Sequence, residues 1–305
     1  MIVRPKRNWF SMLFVWSGSV LQTIIPQLLF LALVSGFAVL TQGRILGEKI
    51  PLNTAPFTLF GVALTIFLAF RNNASYERFK EARYLWGHVL IASRSLTSQI
   101  LCYLPEDRSE DRIQLVNHLI AFAYSLKHEL RKTDPTQDLV RLVGRDAMEA
   151  LRSKHYRPTA ILNEVRHRLS RLQFRAVISE NKLWMLDAQI NELATTVGGC
   201  ERIASTPIPF SYGVLLHRTV YTYCIMLPFG LVDSTELFTP IICVFVAYTL
   251  IALEAIADEV SEPFSEAPNA LAPDAIARNI ERSLLELSNR EIPEEKLPDR
   301  QYQLT

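Results

Sequence analysis

The sequence carries no catalytic signature. It has no P-loop, no dinucleotide-binding glycine pattern, no HExxH helix and no GxSxG elbow, so an enzyme reading has no residue support. Its four cysteines (Cys102, Cys200, Cys224, Cys243) are scattered, with no CxxC pair. That excludes a disulfide framework and a zinc site. The six histidines form no i, i+4 pair, and Arg166-His167-Arg168 would repel a metal cation. No metal site and no cofactor are expected. Charge of either sign is not in surplus: 32 Lys and Arg face 31 Asp and Glu, for a net charge of +1. This argues against a general nucleic-acid binder. Few runs combine β-branched residues with period-two alternation, so almost no strand is expected. No internal repeat is present.

What is present is apolar sequence, unevenly spread. Of 305 residues 49% are hydrophobic and 21% charged, and the mean hydropathy is +0.14. A membrane part joined to a soluble part accounts for that pattern. No charged side chain occurs between Asn8 and Gly43. A hydrocarbon core about 30 Å thick needs roughly 20 apolar residues, and Leu21–Thr41 supplies them. The run is too long for the apolar core of a signal peptide, and no clean small-residue cleavage site follows it. Pro26 is expected to start or kink this helix, and Trp9, Phe10 and Trp16 suit an interfacial segment ahead of it. Three further apolar segments follow, at about Pro56–Phe70, Tyr212–Leu231 and Phe238–Leu253. The second and fourth are short for full spans, and the third is interrupted by His217 and Arg218. Charge exposed to lipid is costly, so these segments are expected to be shielded within a bundle or oligomer.

Arginine and lysine set the orientation. Arg4, Lys6 and Arg7 precede the first segment, and Arg71, Arg78, Lys80 and Arg83 follow the second. The link Asp233-Ser-Thr-Glu236 between the last two segments has neither residue type. An even number of crossings, with both termini and Arg71–Arg202 in the cytosol, satisfies this distribution. The second segment can continue as helix from Pro56 to about Leu101. Further helices are expected at about Ile113–Arg131, Gln137–Lys154, Thr159–Val177 and Lys182–Thr196, with Gly198-Gly199 closing the region. After Glu262 a turn-rich stretch leads to a helix at about Pro273–Leu287 and a polar, mobile end, Glu291–Thr305. The chain thus divides into four parts: 1–70 with the first two membrane helices, 71–202 as a cytosolic helical region, 203–262 with the last two membrane segments, and 263–305 as a cytosolic tail.

The stretch from Pro56 to Phe79 combines an apolar half with a charged half. Val62, Ile66 and Phe70 are spaced by four and share one helix face, and helical steps carry that face on to Glu77 and Glu81. Such a stripe suits a pore-lining helix, and equally any membrane helix that enters the cytosol. A second acidic stripe, Glu254, Asp258 and Glu262, reads as an emerging membrane helix or as a cation contact.

Several longer motifs carry a family resemblance. Pro56-Phe-Thr-Leu-Phe-Gly61 through Phe70-Arg-Asn-Asn-Ala-Ser-Tyr-Glu-Arg-Phe-Lys-Glu-Ala-Arg83 resembles the second-helix signature of bacterial bestrophin homologues. Gly199-Cys-Glu-Arg-Ile-Ala-Ser-Thr-Pro-Ile-Pro-Phe210, His217-Arg-Thr-Val-Tyr221, Leu227-Pro-Phe-Gly-Leu-Val-Asp233 and Ala255-Ile-Ala-Asp-Glu-Val-Ser-Glu-Pro-Phe264 are similar to the same family, in the same order. The resemblance implies an all-α membrane protein of the bacterial inner membrane. It would have four membrane-associated helical segments and a cytosolic helical bundle, assembled as a homopentamer around a central pore. Val62, Ile66 and Phe70 would form the apolar neck, and Ile178 would ring a second, cytosolic aperture. Animal relatives are calcium-activated chloride channels with a dense aspartate run after the last membrane helix. Glu262–Asp274 lacks that run here, which speaks against calcium gating.

In a pentamer each pore-facing residue becomes a ring of five. Stacked apolar rings gate by dewetting and say little about ion sign, which charged rings set. Glu77 and Glu81 would form acidic rings below the neck, so passive conduction of monovalent cations such as sodium is expected. A chloride channel is the alternative, and a non-conducting membrane scaffold the second. The expected partners are permeating ions, the lipid bilayer and further copies of the chain.

Overall fold

The computed structural model describes all residues except 6–7, 46–47 and 50–53. Lys6 and Arg7, used above for orientation, lie outside the described residues. In chain order the helices are α1 (Trp9–Met12), α2 (Leu21–Leu40), α3 (Thr54–Tyr103), α4 (Ser109–Arg131), α5 (Thr136–Val143), α6 (Arg145–Arg152), α7 (Arg157–Phe174), α8 (Glu180–Ser205), α9 (Phe210–Thr235), α10 (Thr239–Ser261) and α11 (Pro273–Leu287). The expected scarcity of strand holds: the described strands are β1 (Arg44–Ile45) and β2 (Glu48–Lys49), an antiparallel ribbon. Among the described residues three stretches are long and apolar enough to cross a membrane: Leu21–Leu40, Ala55–Tyr103 and Phe210–Ser261. The last holds both α9 and α10, joined by a 3₁₀ turn at Glu236–Phe238, where Glu236 takes a positive φ of 43°.

The chain forms two compact units, and α3 contributes to both. One comprises residues 4–79 and 207–262. Its core joins α2, the first part of α3, α9 and α10 through Ile24, Leu31, Leu68, Val220, Cys224 and Ile251. Apolar side chains also cover much of its outside, including Leu33, Leu59, Phe67, Phe210 and Phe245. Such a surface suits contact with hydrocarbon or further copies. Pro26 lies inside α2 and does not start it.

The other unit comprises residues 1–3, 80–206 and 263–305. Helix α4 is its centre, buried without a break from Leu119 to Lys127, with α5, α7, α8 and α11 packed around it. The expected helix over Gln137–Lys154 is two helices, α5 and α6. Gly144 separates them at φ 86° and ψ 170°, a backbone conformation open to glycine and almost closed to other residues. The expected close of the region at Gly198-Gly199 also fails, because α8 runs through both glycines to Ser205. Gly199 is there for close approach: a Cβ at this position would sit 2.8 Å from Leu85 Cδ2. Gly198 meets nothing within 4 Å. Gly199→Val is therefore expected to destabilise the protein by about 1–3 kcal/mol through overpacking. Gly198→Ala should instead stabilise it by up to about 1 kcal/mol through helix propensity. Thermal unfolding of the two variants in detergent checks the contrast.

The polar end is not loose, as its composition suggested. Thr305 accepts a backbone hydrogen bond from Ala275, and Leu304 and Tyr302 bond to Met1 and Val3, which ties the two termini together. Arg131 holds the turn-rich stretch ahead of α11, donating to the carbonyls of Phe264 and Leu271 and to Asp274 at 2.7 Å. Burial alone would raise the Asp274 carboxyl. The Lys127 hydrogen bond and the charges of Lys127, Lys296 and Arg131 outweigh it and hold the group at about 2.

Candidate ion pathway on the third helix

In the unit of residues 4–79 and 207–262, α3 has two unlike faces. Leu64, Leu68 and Ser75 are buried against the rest of the unit. Val62, Ile66 and Phe70 lie on the other side, 55%, 50% and 67% exposed in the single chain. Glu77 is exposed as well. The structure thus brings the three expected neck residues together on one unpartnered apolar stripe. The described residues of their own chain leave each of them half or more exposed, as a lining or an intersubunit face requires.

The part of α3 in the second unit repeats the division. Ala82, Trp86, Val89, Leu96 and Ile100 are buried, while Tyr84 and Ile91 are exposed, and Tyr84 stacks on His88 at 4.3 Å. Sequence reasoning stopped at Glu81 and missed Tyr84, His88 and Ile91, although steps of seven from Glu77 and Glu81 reach all three. Glu81 is half-exposed and forms an ion pair with Arg202 of α8. Its charge is therefore partly neutralised within its own chain. Ile178 lies in the turn between α7 and α8, only 3% exposed. Its place at a cytosolic aperture rests on the family resemblance alone, and within the single chain its side chain is buried.

Two residues of the second acidic stripe, Glu254 and Asp258, are answered by protein cations. Glu254 is 4% exposed, and its Oε1 lies 3.0 Å from His217 Nδ1 and 3.6 Å from Arg71 Nη1. Arg71 also donates to Asp258. Spacing by four aims both carboxylates of α10 at Arg71, the residue next to Phe70 on α3. These four side chains clamp α3, α9 and α10 together. Among the described residues no group of three His, Cys, Asp or Glu side chains could hold a metal ion.

Residues 1–286 match the family model described as Bacterial/Fungal Bestrophin protein. The chain is 42% identical over 273 residues to the Voltage-dependent anion channel-forming protein RSc3414 of Ralstonia nicotianae, covering 89% of each chain. It is 41% identical over 308 residues to the Voltage-dependent anion channel-forming protein YneE of Escherichia coli K12, covering 100% of both. The crystal structure of a bacterial bestrophin homologue from Klebsiella pneumoniae superposes with a TM-score of 0.84 at 41% identity. That match covers 88% of this chain and 99% of the other. The family and these names indicate a channel and not an enzyme.

Proposed function

Because the chain belongs to the bacterial and fungal bestrophin family, we propose that it forms a membrane pore passing ions passively down their gradients. One observation carries this reading: the exposed stripe of Val62, Ile66 and Phe70 on α3, backed by the buried Leu64 and Leu68. Five copies arranged around that stripe would enclose an apolar neck, with Glu77 and Glu81 beyond it. The hydrogen bonds between the two termini support a topology with both on one side of the membrane, the cytosolic side of a bacterial inner membrane.

The relatives are named for anions, and in this chain Arg202 offsets Glu81. Both observations favour anion passage over the sodium preference that Glu77 and Glu81 suggest. The cation reading keeps one support, the exposed Glu77. Ion flux from liposomes holding the purified protein, with sodium and chloride gradients varied separately, tests the proposal. A monomer or dimer in mild detergent, or liposomes no leakier than empty ones, would overturn it.

The Arg202–Glu81 pair makes a prediction that holds for either ion sign. Arg202→Ala leaves Glu81 unpaired and is expected to move the reversal potential in asymmetric salt towards the cation. Glu81→Gln leaves Arg202 unpaired and should move it towards the anion. One unpaired charge about 4 Å from the ion is worth ~1 kcal/mol in water, roughly a fivefold change in relative permeability. Reversal potentials unmoved in both variants would take this pair off the ion path.

A further inference from the structure

Two glutamates meet inside the unit of residues 1–3, 80–206 and 263–305. Glu129 stands in the last turn of α4, and Glu201 near the end of α8. Their carboxyl groups lie within hydrogen-bonding reach of each other. Each also has a buried oxygen, Oε2 of Glu129 and Oε1 of Glu201, that receives no hydrogen bond from any other group. Two ionised carboxylates in this position would repel each other, and both buried acceptors would lack a donor. One proton held between them removes the repulsion and supplies the donor.

The surrounding charges leave that arrangement in place. From α7, Arg157 gives Glu129 a backbone hydrogen bond and a positive charge. On α5 and α11 the groups facing α4 are taken up by other partners: Asp138 by Lys127 and His128, Asp274 by Lys127 and Arg131, and Glu281 by Tyr124 and Arg141. On α8 itself, Arg202 is turned to Glu81. Burial first, and then the charges of Glu201 and Glu81, push the nearby Cys200 thiol up to about 12.

Glu201 lies between two of the residues through which α8 touches α3. Gly199 abuts Leu85, and Arg202 pairs with Glu81. A change in the position of Glu201 is therefore passed to α3 directly. We propose that Glu129 and Glu201 share one proton, and that its loss drives α8 away from α4, so that a proton-sensitive latch acts on Glu81 and Leu85 of the pore helix. The latch rests on the reading of α3 as a pore helix; the proton pair does not.

The operating range lies near neutrality. Burial first, and then the facing Glu201, raise the Glu129 carboxyl from an ordinary 4.5 to about 7. Below the ordinary value both folded and unfolded chains hold the proton. Between the two values only the folded chain keeps it, so stability falls as pH rises through that window and levels off above it.

The test follows thermal unfolding of the full chain in detergent from about pH 5 to about pH 8.5, together with amide hydrogen exchange in α8. The wild type is expected to lose several degrees of melting temperature across the window, with residues 196–203 exchanging faster above about pH 7 once intrinsic rates are removed. Glu129→Gln should flatten both profiles, and Glu201→Gln serves where the first variant fails to fold. A variant that keeps the wild-type pH profile in either readout overturns the proposal. In liposomes the wild-type flux should change with a midpoint near pH 7 and lose that dependence in the variants. Flux that ignores pH while exchange responds to it overturns the action on the pore. Absence of flux at every pH removes the channel reading instead, and the exchange data still decide the proton pair.

Discussion

Changing Val62, Ile66 and Phe70 together to alanine is expected to raise ion flux through the reconstituted protein at least about tenfold. Stacked apolar side chains around a narrow path keep water out, and an ion must wait for the path to wet or give up its shell. Alanine shortens all three side chains, so the path both widens and wets. A tenfold gain needs only ~1.4 kcal/mol removed from the barrier. That is small when each lost methylene is worth ~0.8 kcal/mol of apolar surface and every substitution recurs in each copy. The chain's own fold should tolerate the change, because these residues are half or more exposed, whereas Leu64 and Leu68 behind them carry the packing. The two roles of the stripe separate in one experiment. A lining gives more flux with the assembly intact. An intersubunit packing face gives weakened assembly and no gain in flux, which would sink the assignment of the neck.

The sequence made the long elements legible for a physical reason. A charge-free run that can span a bilayer has few alternatives to helix, and α2 begins at Leu21 as expected. The amphipathic α11 occupies Pro273–Leu287, the expected range, because proline opens it and its apolar period is strong. The joints were less legible. Gly144 breaks a helix while Gly198 and Gly199 do not, and only the surroundings distinguish them: a positive φ at the first, and the nearby Leu85 at the last. Ile178 is assigned to an aperture by resemblance alone, and its burial in the turn between α7 and α8 leaves no mark in the sequence. The polar end looked loose, yet backbone hydrogen bonds, which leave no mark in composition, tie it to Met1 and Val3.

The candidate site divided along the same line. Val62, Ile66, Phe70 and Glu77 follow one helical period and were visible in it. The partners of the charged residues were not, because Glu81 and Arg202 are 121 residues apart and Arg71 and Asp258 are 187 apart. Arg71 accordingly passed for an orientation charge, and His217 for an interruption in an apolar segment. In the structure both are parts of a clamp that includes Glu254.

That clamp carries the second large effect. Arg71→Ala is expected to destabilise the protein by about 3–5 kcal/mol, the cost of leaving a buried partner charge uncompensated. The side chains of Arg71 and Glu254 are 11% and 6% exposed, so water cannot replace the lost partner. His217 would remain beside Glu254, but it carries charge only when protonated. Arg71→Lys should recover only part of the loss, because an ammonium cannot reach Glu254 and Asp258 with the spread of a guanidinium. The double variant Arg71→Met with Glu254→Gln removes both charges, and should cost clearly less than the sum of its two single changes, by about 0.5–3 kcal/mol. Thermal unfolding in detergent gives all five values, and a cost below about 1 kcal/mol for Arg71→Ala would show that the cluster is solvated and not a clamp. The location of the cluster gives it a functional reading too. Arg71 follows Phe70 directly, so the bonds that fix its guanidinium on α10 also fix how α3 is rotated about its axis. Residues spaced by four keep one face, so a rotation of α3 turns Val62, Ile66 and Phe70 together away from the direction they now take. If Val62, Ile66 and Phe70 line the pore as proposed, the clamp sets their alignment, and Arg71→Ala should alter flux even in protein that remains folded.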